Sequence, residues 1–204
     1  MKLVSTVLLS LSCVAVSLSQ EFNLNFGKCF STFIYKDANG LKDEAIAYRV
    51  GNTYGASFGV GLGAKSTLRP EVFYSEMGAK SSDVQLPVEW KLNYLGLGAS
   101  YLIDALTKEN IRVSPGLAFG MDYLLKGEQT IGTDRYNLNE DEVLKPWNLN
   151  ASAMLNTRFM VTETFAIFME YRYSIGLNQI EKQDIGEKTR NIAHRALVGL
   201  SFNL

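Results

Sequence analysis

Seven charged residues stand at alternate positions in stretches that are otherwise apolar: Arg69 and Glu71, Arg112, Arg158, Glu170 and Arg172, and Arg195. Guanidinium and carboxylate groups at this period have two uses. They neutralise one another inside a closed structure, where unpaired charge is costly, or they line a narrow ion path. Other chemistry has thinner support. His194 is the single histidine, Ser174 lies on the inward phase of its segment, and no spacing links them. Cys29 is alone once an N-terminal leader carrying Cys13 is removed, so it forms no internal disulfide, and it lacks a nucleophile's context. The glycines recur at period two, whereas a phosphate loop needs a strand-to-helix turn. The acidic run Glu140-Asp141-Glu142, with Asp134, could hold a divalent cation bridging lipopolysaccharide; a solvated loop is the plainer reading. We expect no catalytic residue, no metal site and no cofactor.

The elements that position these charges are strands. From Tyr54, the residues Ala56, Phe58, Val60, Leu62 and Ala64 alternate with Gly55, Ser57, Gly59, Gly61 and Gly63. A strand sends successive side chains to opposite faces, so one face is oily and the other nearly bare. Eight such segments follow one another: Phe22 to Tyr35, Thr53 to Ala64, Leu68 to Ser75, Asn93 to Ile103, Ile111 to Tyr123, Trp147 to Val161, Phe165 to Leu177 and Asn191 to Leu204. The candidate charges all fall on the bare face, with Lys28 the clear exception. An Arg or Lys at the lipid midplane costs roughly 2–4 kcal/mol, so lipid enforces this sorting. The pattern predicts an all-β fold, an eight-stranded antiparallel up-and-down transmembrane β-barrel, with glycines leaving room for long inward side chains.

Turn lengths agree. Lys65 to Thr67, Asp104 to Asn110 and Thr162 to Thr164 are short connections. Lys36 to Asn52, Glu76 to Lys91, Leu124 to Pro146 and Asn178 to Arg190 are long. Bacterial barrels have short periplasmic turns and long outer loops, which places both termini on the periplasmic side. Tyr123, Trp147 and Tyr173 then form an outer aromatic girdle, and Tyr101, Phe165 and Phe202 an inner one. Pro70 cannot donate to a ladder and predicts a bulge or a local gap. A change of apolar phase at Trp90, Leu92 and Tyr94 predicts a bulge near Tyr94. The short turn at Thr162 to Thr164 sets Arg158 opposite Phe168 and one diagonal step from Glu170, as part of an internal ion-pair ladder.

The ends and the composition set the context. Lys2, the apolar run Leu3 to Val16, and Ser17-Leu18-Ser19 form a secretory signal over residues 1–19, cleaved before Gln20; residues 20–204 are the barrel domain. A net charge of −1 excludes the basic surface a nucleic-acid partner would want. No segment after the leader is long and apolar enough for a spanning helix.

Leu68-Arg69-Pro70-Glu71-Val72-Phe73-Tyr74-Ser75-Glu76-Met77-Gly78-Ala79-Lys80, Tyr171-Arg172-Tyr173-Ser174-Ile175-Gly176-Leu177-Asn178 and the ending Gly199-Leu200-Ser201-Phe202-Asn203-Leu204 resemble, in order and spacing, the outer-membrane β-barrel domain family, the PorT-like small barrels of Gram-negative bacteria. The chain departs in having Gly96 or Gly98 where that family often has proline. The resemblance implies an integral outer-membrane barrel and no single activity. The expectation is a monomeric, non-enzymatic barrel of the Gram-negative outer membrane. Its partners would be outer-membrane lipids and a protein met through the outer loops, and its role structural or interaction-based. The alternatives are a small porin-like channel, an accessory component of a secretion or envelope machine, a lipid-modifying enzyme using His194, and a soluble lipocalin-like barrel with its faces inverted.

Overall fold

The structure, a computed structural model, describes residues 20–36, 46–81, 87–139, 143–182 and 188–204. The expected leader, with Cys13, and the acidic run Glu140 to Glu142 lie outside the described residues. Ten strands follow in chain order: β1 (Gln20–Lys36), β2 (Ile46–Gly61), β3 (Ser66–Ser81), β4 (Val88–Ile103), β5 (Leu106–Lys108), β6 (Ile111–Ile131), β7 (Asp134–Asn137), β8 (Trp147–Met160), β9 (Phe165–Gly176) and β10 (Lys188–Asn203). Eight of them close a ring of antiparallel neighbours, β1-β2-β3-β4-β6-β8-β9-β10 and back to β1. The short strands β5 and β7 only extend β6 at its two ends.

A path from partner to partner shows the stagger. It runs Gln20, Val60, Leu68, Tyr101, Leu117, Ala153, Tyr173, His194 and returns to β1 at Phe30, ten residues beyond its start. Closure with such a shift tilts the strands by roughly 35–45° to the barrel axis.

The phases fall as the alternation requires. Phe22, Leu24, Phe26, Leu97, Leu117, Phe119, Leu155 and Met169 are exposed on the outer wall, while Asn23, Ser57, Arg69, Ser100, Asp122, Asn156 and Glu170 are buried inside. Glycines supply the interior space: a Cβ on Gly59 would collide with the Glu21 side chain, and one on Gly199 would collide with the Phe168 ring.

Two expectations need correction in detail, and the one at Pro70 is met. The strands on the long-loop side run further than the alternation does. β2 starts at Ile46, β3 continues to Ser81, β4 begins at Val88 and β6 reaches Ile131, inside segments expected to be loop. Backbone pairing continues there after the strict apolar alternation has stopped. At Pro70 there is a gap without a bulge: β2 and β3 keep one register from Ser57↔Glu71 to Val60↔Leu68, and the pairs between them drop out of the ladder. The register shift near Tyr94 is present, but its extra residue, Leu125, is on β6. β4 itself keeps phase, so Leu92 and Tyr94 point inward with Gly96 and Ser100 and are fully buried.

A second register shift, between Tyr48 and Thr53 of β2, leaves part of β3 without its normal partner. Ser31 of β1 reaches across: its hydroxyl donates to the Gly78 carbonyl at 3.0 Å and accepts from the Gly78 N–H at 2.8 Å. Gly78 has φ of 140°, and a Cβ there would collide with the Trp90 carbonyl oxygen.

Candidate functional site

The barrel interior holds the chemistry-bearing residues, in two layers. The lower layer, toward the short turns, is charged. Among the described residues the lumen as a whole buries four arginines, Arg69, Arg158, Arg172 and Arg195, and four carboxylates, Glu21, Glu71, Glu170 and, higher up beside Tyr123, Asp122, so their formal charges cancel. The centre of the lower layer joins β3 to β9, four places apart in a ring of eight, and so spans the lumen. Arg69 Nη2 donates to Glu170 Oε2 at 2.5 Å. Arg172 grips Glu71 with both terminal nitrogens, at 2.5 and 2.8 Å, and also donates to Glu170 Oε1 at 2.9 Å. Asn156, opposite Glu170 in the β8–β9 ladder, donates to Oε2 at 3.1 Å. Bidentate, charge-assisted pairing of this kind fixes geometry as well as charge.

The remaining candidates are placed differently from the expected ladder. Arg158 does stand opposite Phe168, but its bidentate partner is Glu21 of β1, not Glu170. Glu21 goes unrecognised in the sequence because it abuts the expected end of the leader. Arg112 sits at the short-turn rim with its side chain 38% exposed, 3.3 Å from Asp104, and is not part of the interior cluster. Arg195 has no carboxylate in ion-pair contact among the described residues. Its guanidinium donates to Ser174 Oγ at 2.8 Å and lies 5.0 Å over the Phe73 ring. Asp122 accepts from Asn148 and Asn150, both at 2.9 Å. Charges thus meet across the lumen more than along it, because inward side chains of a narrow barrel reach the opposite wall.

The upper layer centres on an apolar cluster, which the alternation does not disclose, with the half-buried Arg49–Glu89 pair and Asn191 beside it. Cys29, Met77, Leu92, Tyr94, Leu124, Leu138 and Ala193 form one buried cluster, with Phe33, Trp90 and Leu144 packed against it. Leu138 and Ile180 come from the outer connections, and the bond from Lys145 N–H to the Ile180 carbonyl, 2.6 Å, ties two of those connections together over the barrel. The cavity enclosed beside Arg172 and Arg195 is about 10 Å³, roughly one water molecule. Wider vestibules lie at the ends: about 150 Å³ beside Glu21, Arg112 and Arg158, and about 210 Å³ beneath Leu138, Leu144 and Ile180.

The outer wall carries the aromatic candidates. Tyr123 and Trp147 are ladder partners with ring centroids 4.6 Å apart near the long-loop end; Phe165 and Phe202 pair at 5.4 Å near the short-turn end. Tyr101 is exposed on β4, and Tyr173 lies 5.0 Å from the His194 ring.

Comparison with solved structures agrees with this geometry. The chain is similar to Neisserial surface protein A, with 12% identity and a TM-score of 0.53 over 90% of this chain and 97% of that one. It is also similar to the outer membrane protein OprG from Pseudomonas aeruginosa, at 11% and 0.52 over 92% and 97%. A major outer membrane protein from Thermus thermophilus matches at 9% and 0.51 over 91% and 99%. The fold is that of the outer-membrane β-barrels. No protein-family model and no curated protein matches the chain, so at these identities the likeness carries the fold alone.

Within this barrel, Ser174 and His194 are on opposite faces of the wall. Ser174 is buried inside and bonds Ser152 and Arg195. His194 faces outward, its Nδ1 2.6 Å from the Tyr171 hydroxyl and its Nε2 3.3 Å from that of Tyr48. The two cannot act as a base and nucleophile pair. The described residues contain no cluster of three metal-ligating side chains.

Proposed function

We propose that this protein is a sealed, non-enzymatic barrel of the Gram-negative outer membrane, a monomer with a structural or interaction role. Its outer connections would form the surface that meets a protein partner. The observation that carries this reading is the lumen-spanning cluster of Arg69, Glu71, Glu170 and Arg172 beneath an apolar layer, with space for about one water beside it. A conducting barrel needs a continuous wet path, whereas here two packed layers of opposite character fill the bore. The resemblance of residues 68–80, 171–178 and 199–204 to the PorT-like small barrels supports a place as an accessory in an envelope or secretion machine.

Planar-bilayer recording of the refolded protein tests the sealed reading. Only baseline current is expected. Steady channels whose conductance changes in Glu170→Gln would establish the porin-like alternative instead.

A further inference from the structure

The long-loop rim is basic where β3, β4 and β6 run on past the aromatic girdle. Lys80, Lys91 and Lys126 stand there with exposed side chains, and Ala79 and Leu92 beside the first two point inward and are buried. The ladder sets their spacing. Lys80 faces Glu89; Lys91 comes two residues after Glu89 and faces Glu128; Lys126 comes two residues before Glu128. Each lysine is therefore one diagonal step from the next, roughly 7–8 Å. The ten-residue stagger over eight strands lifts each ladder partner by slightly more than one residue, and each diagonal steps back by two. The three lysines thus lie nearly level around the barrel.

Their height is fixed by the girdle. Lys126 is the next outward residue above Tyr123 once the bulged Leu125 is passed, and Tyr123 with Trp147 marks the outer girdle. Girdle rings sit at the headgroup boundary, so the lysines stand just beyond it, where lipid phosphates lie. Below them Leu95, Leu97 and Met121 present an apolar wall for acyl chains.

The protein does not consume this charge. Arg49 Nε–H already donates to Glu89 Oε1 at 3.1 Å. Lys80 and Lys91 come only to 4.0 and 3.5 Å from the same carboxylate, beyond a good hydrogen bond. Lys126 reaches Glu128 at 2.8 Å and keeps two further donors. Among the described residues of this row, four cations share two carboxylates, an excess of two positive charges. Glu89 gathers Lys80 and Lys91 around one point without neutralising both.

We propose that this row binds one lipopolysaccharide molecule, a lipid A phosphate lying between Lys80 and Lys91 and the acyl chains resting on the wall below. The outward leaflet of a Gram-negative outer membrane presents phosphorylated glycolipid at this level. A phosphate offers several acceptor oxygens to two ammonium groups at once and answers the excess charge.

The site rests on the outer-membrane barrel reading, and the experiment separates the two. Protein refolded in detergent, free of native lipid, is first checked for a mobility shift on boiling in SDS; loss of the shift in the unaltered protein would sink the barrel itself. Shifted protein is then titrated with bis-phosphorylated lipid A, or with the same lipid stripped of its phosphates, and bound lipid is counted by native mass spectrometry. One phosphorylated lipid A should be retained in preference to the stripped form. The double variant Lys80→Gln with Lys91→Gln should weaken it roughly tenfold or more with the boiling shift intact. Should that variant lose its shift, each single change should still cost about threefold or more. Lys65→Gln with Lys108→Gln, two exposed lysines of the short-turn end, removes the same charge and should leave binding unchanged. Equal retention of the two lipids by the unaltered protein, or an equal loss in the short-turn variant, would overturn the site.

Discussion

Glu170 shows how much one buried side chain holds together. Its two oxygens receive Arg69, Arg172 and Asn156 from three strands, two of them facing each other across the lumen. Removing one partner of a buried ion pair typically costs about 3–5 kcal/mol, because the surviving charge is stranded. Glu170→Ala should therefore lower the urea unfolding midpoint by that amount of stability. Glu170→Gln, which keeps acceptor and donor in place, should lose less. If Glu170→Ala unfolds at the same midpoint as the parent, the cluster is not what holds the lumen. That Glu170 faces inward is legible from its position between Met169 and Tyr171. Its partners are not, because they depend on the ten-residue stagger, which no local spacing reports.

At the scale of the strand, β2 and β3 separate where the register shifts between Tyr48 and Thr53, and Ser31 repairs the break through both backbone groups of Gly78. Ser31→Ala would leave those buried groups without their partner, at a cost of roughly 1–3 kcal/mol. It should also speed amide exchange at Gly78 relative to Tyr74, which stays in the regular ladder; unchanged exchange would mean the hydroxyl is dispensable. The alternation locates the eight membrane strands because lipid imposes it on every second residue. The extensions of β2, β3, β4 and β6 and the short strands β5 and β7 carry no such mark. Their pairing is set by neighbours whose identity the sequence does not state.

The molecule as a whole adds an apolar cluster to the upper part of a polar bore, and that cluster departs from the sequence expectation for a physical reason. Trp90, Leu92 and Tyr94 are large and apolar, so a membrane-barrel pattern predicts that they face lipid after a bulge on their own strand. Leu92 and Tyr94 face inward without any phase change, because the upper lumen is closed by packing with Leu124, Leu138 and Met77. Cys29 is part of that packing and has no exposed surface, so once the expected leader with Cys13 is removed the folded protein should be silent to thiol reagents, which allows a clean test of orientation. Asp134 lies exposed on β7 at the long-connection end, and Thr162 lies exposed in the short turn between β8 and β9. In intact cells, a membrane-impermeant maleimide should label Asp134→Cys and leave both the parent and Thr162→Cys unlabelled. After the outer membrane is permeabilised, Thr162→Cys should label and the parent should remain unreactive until denatured. Labelling of Thr162→Cys in intact cells, with Asp134→Cys protected, would mean that the barrel is inserted the other way up.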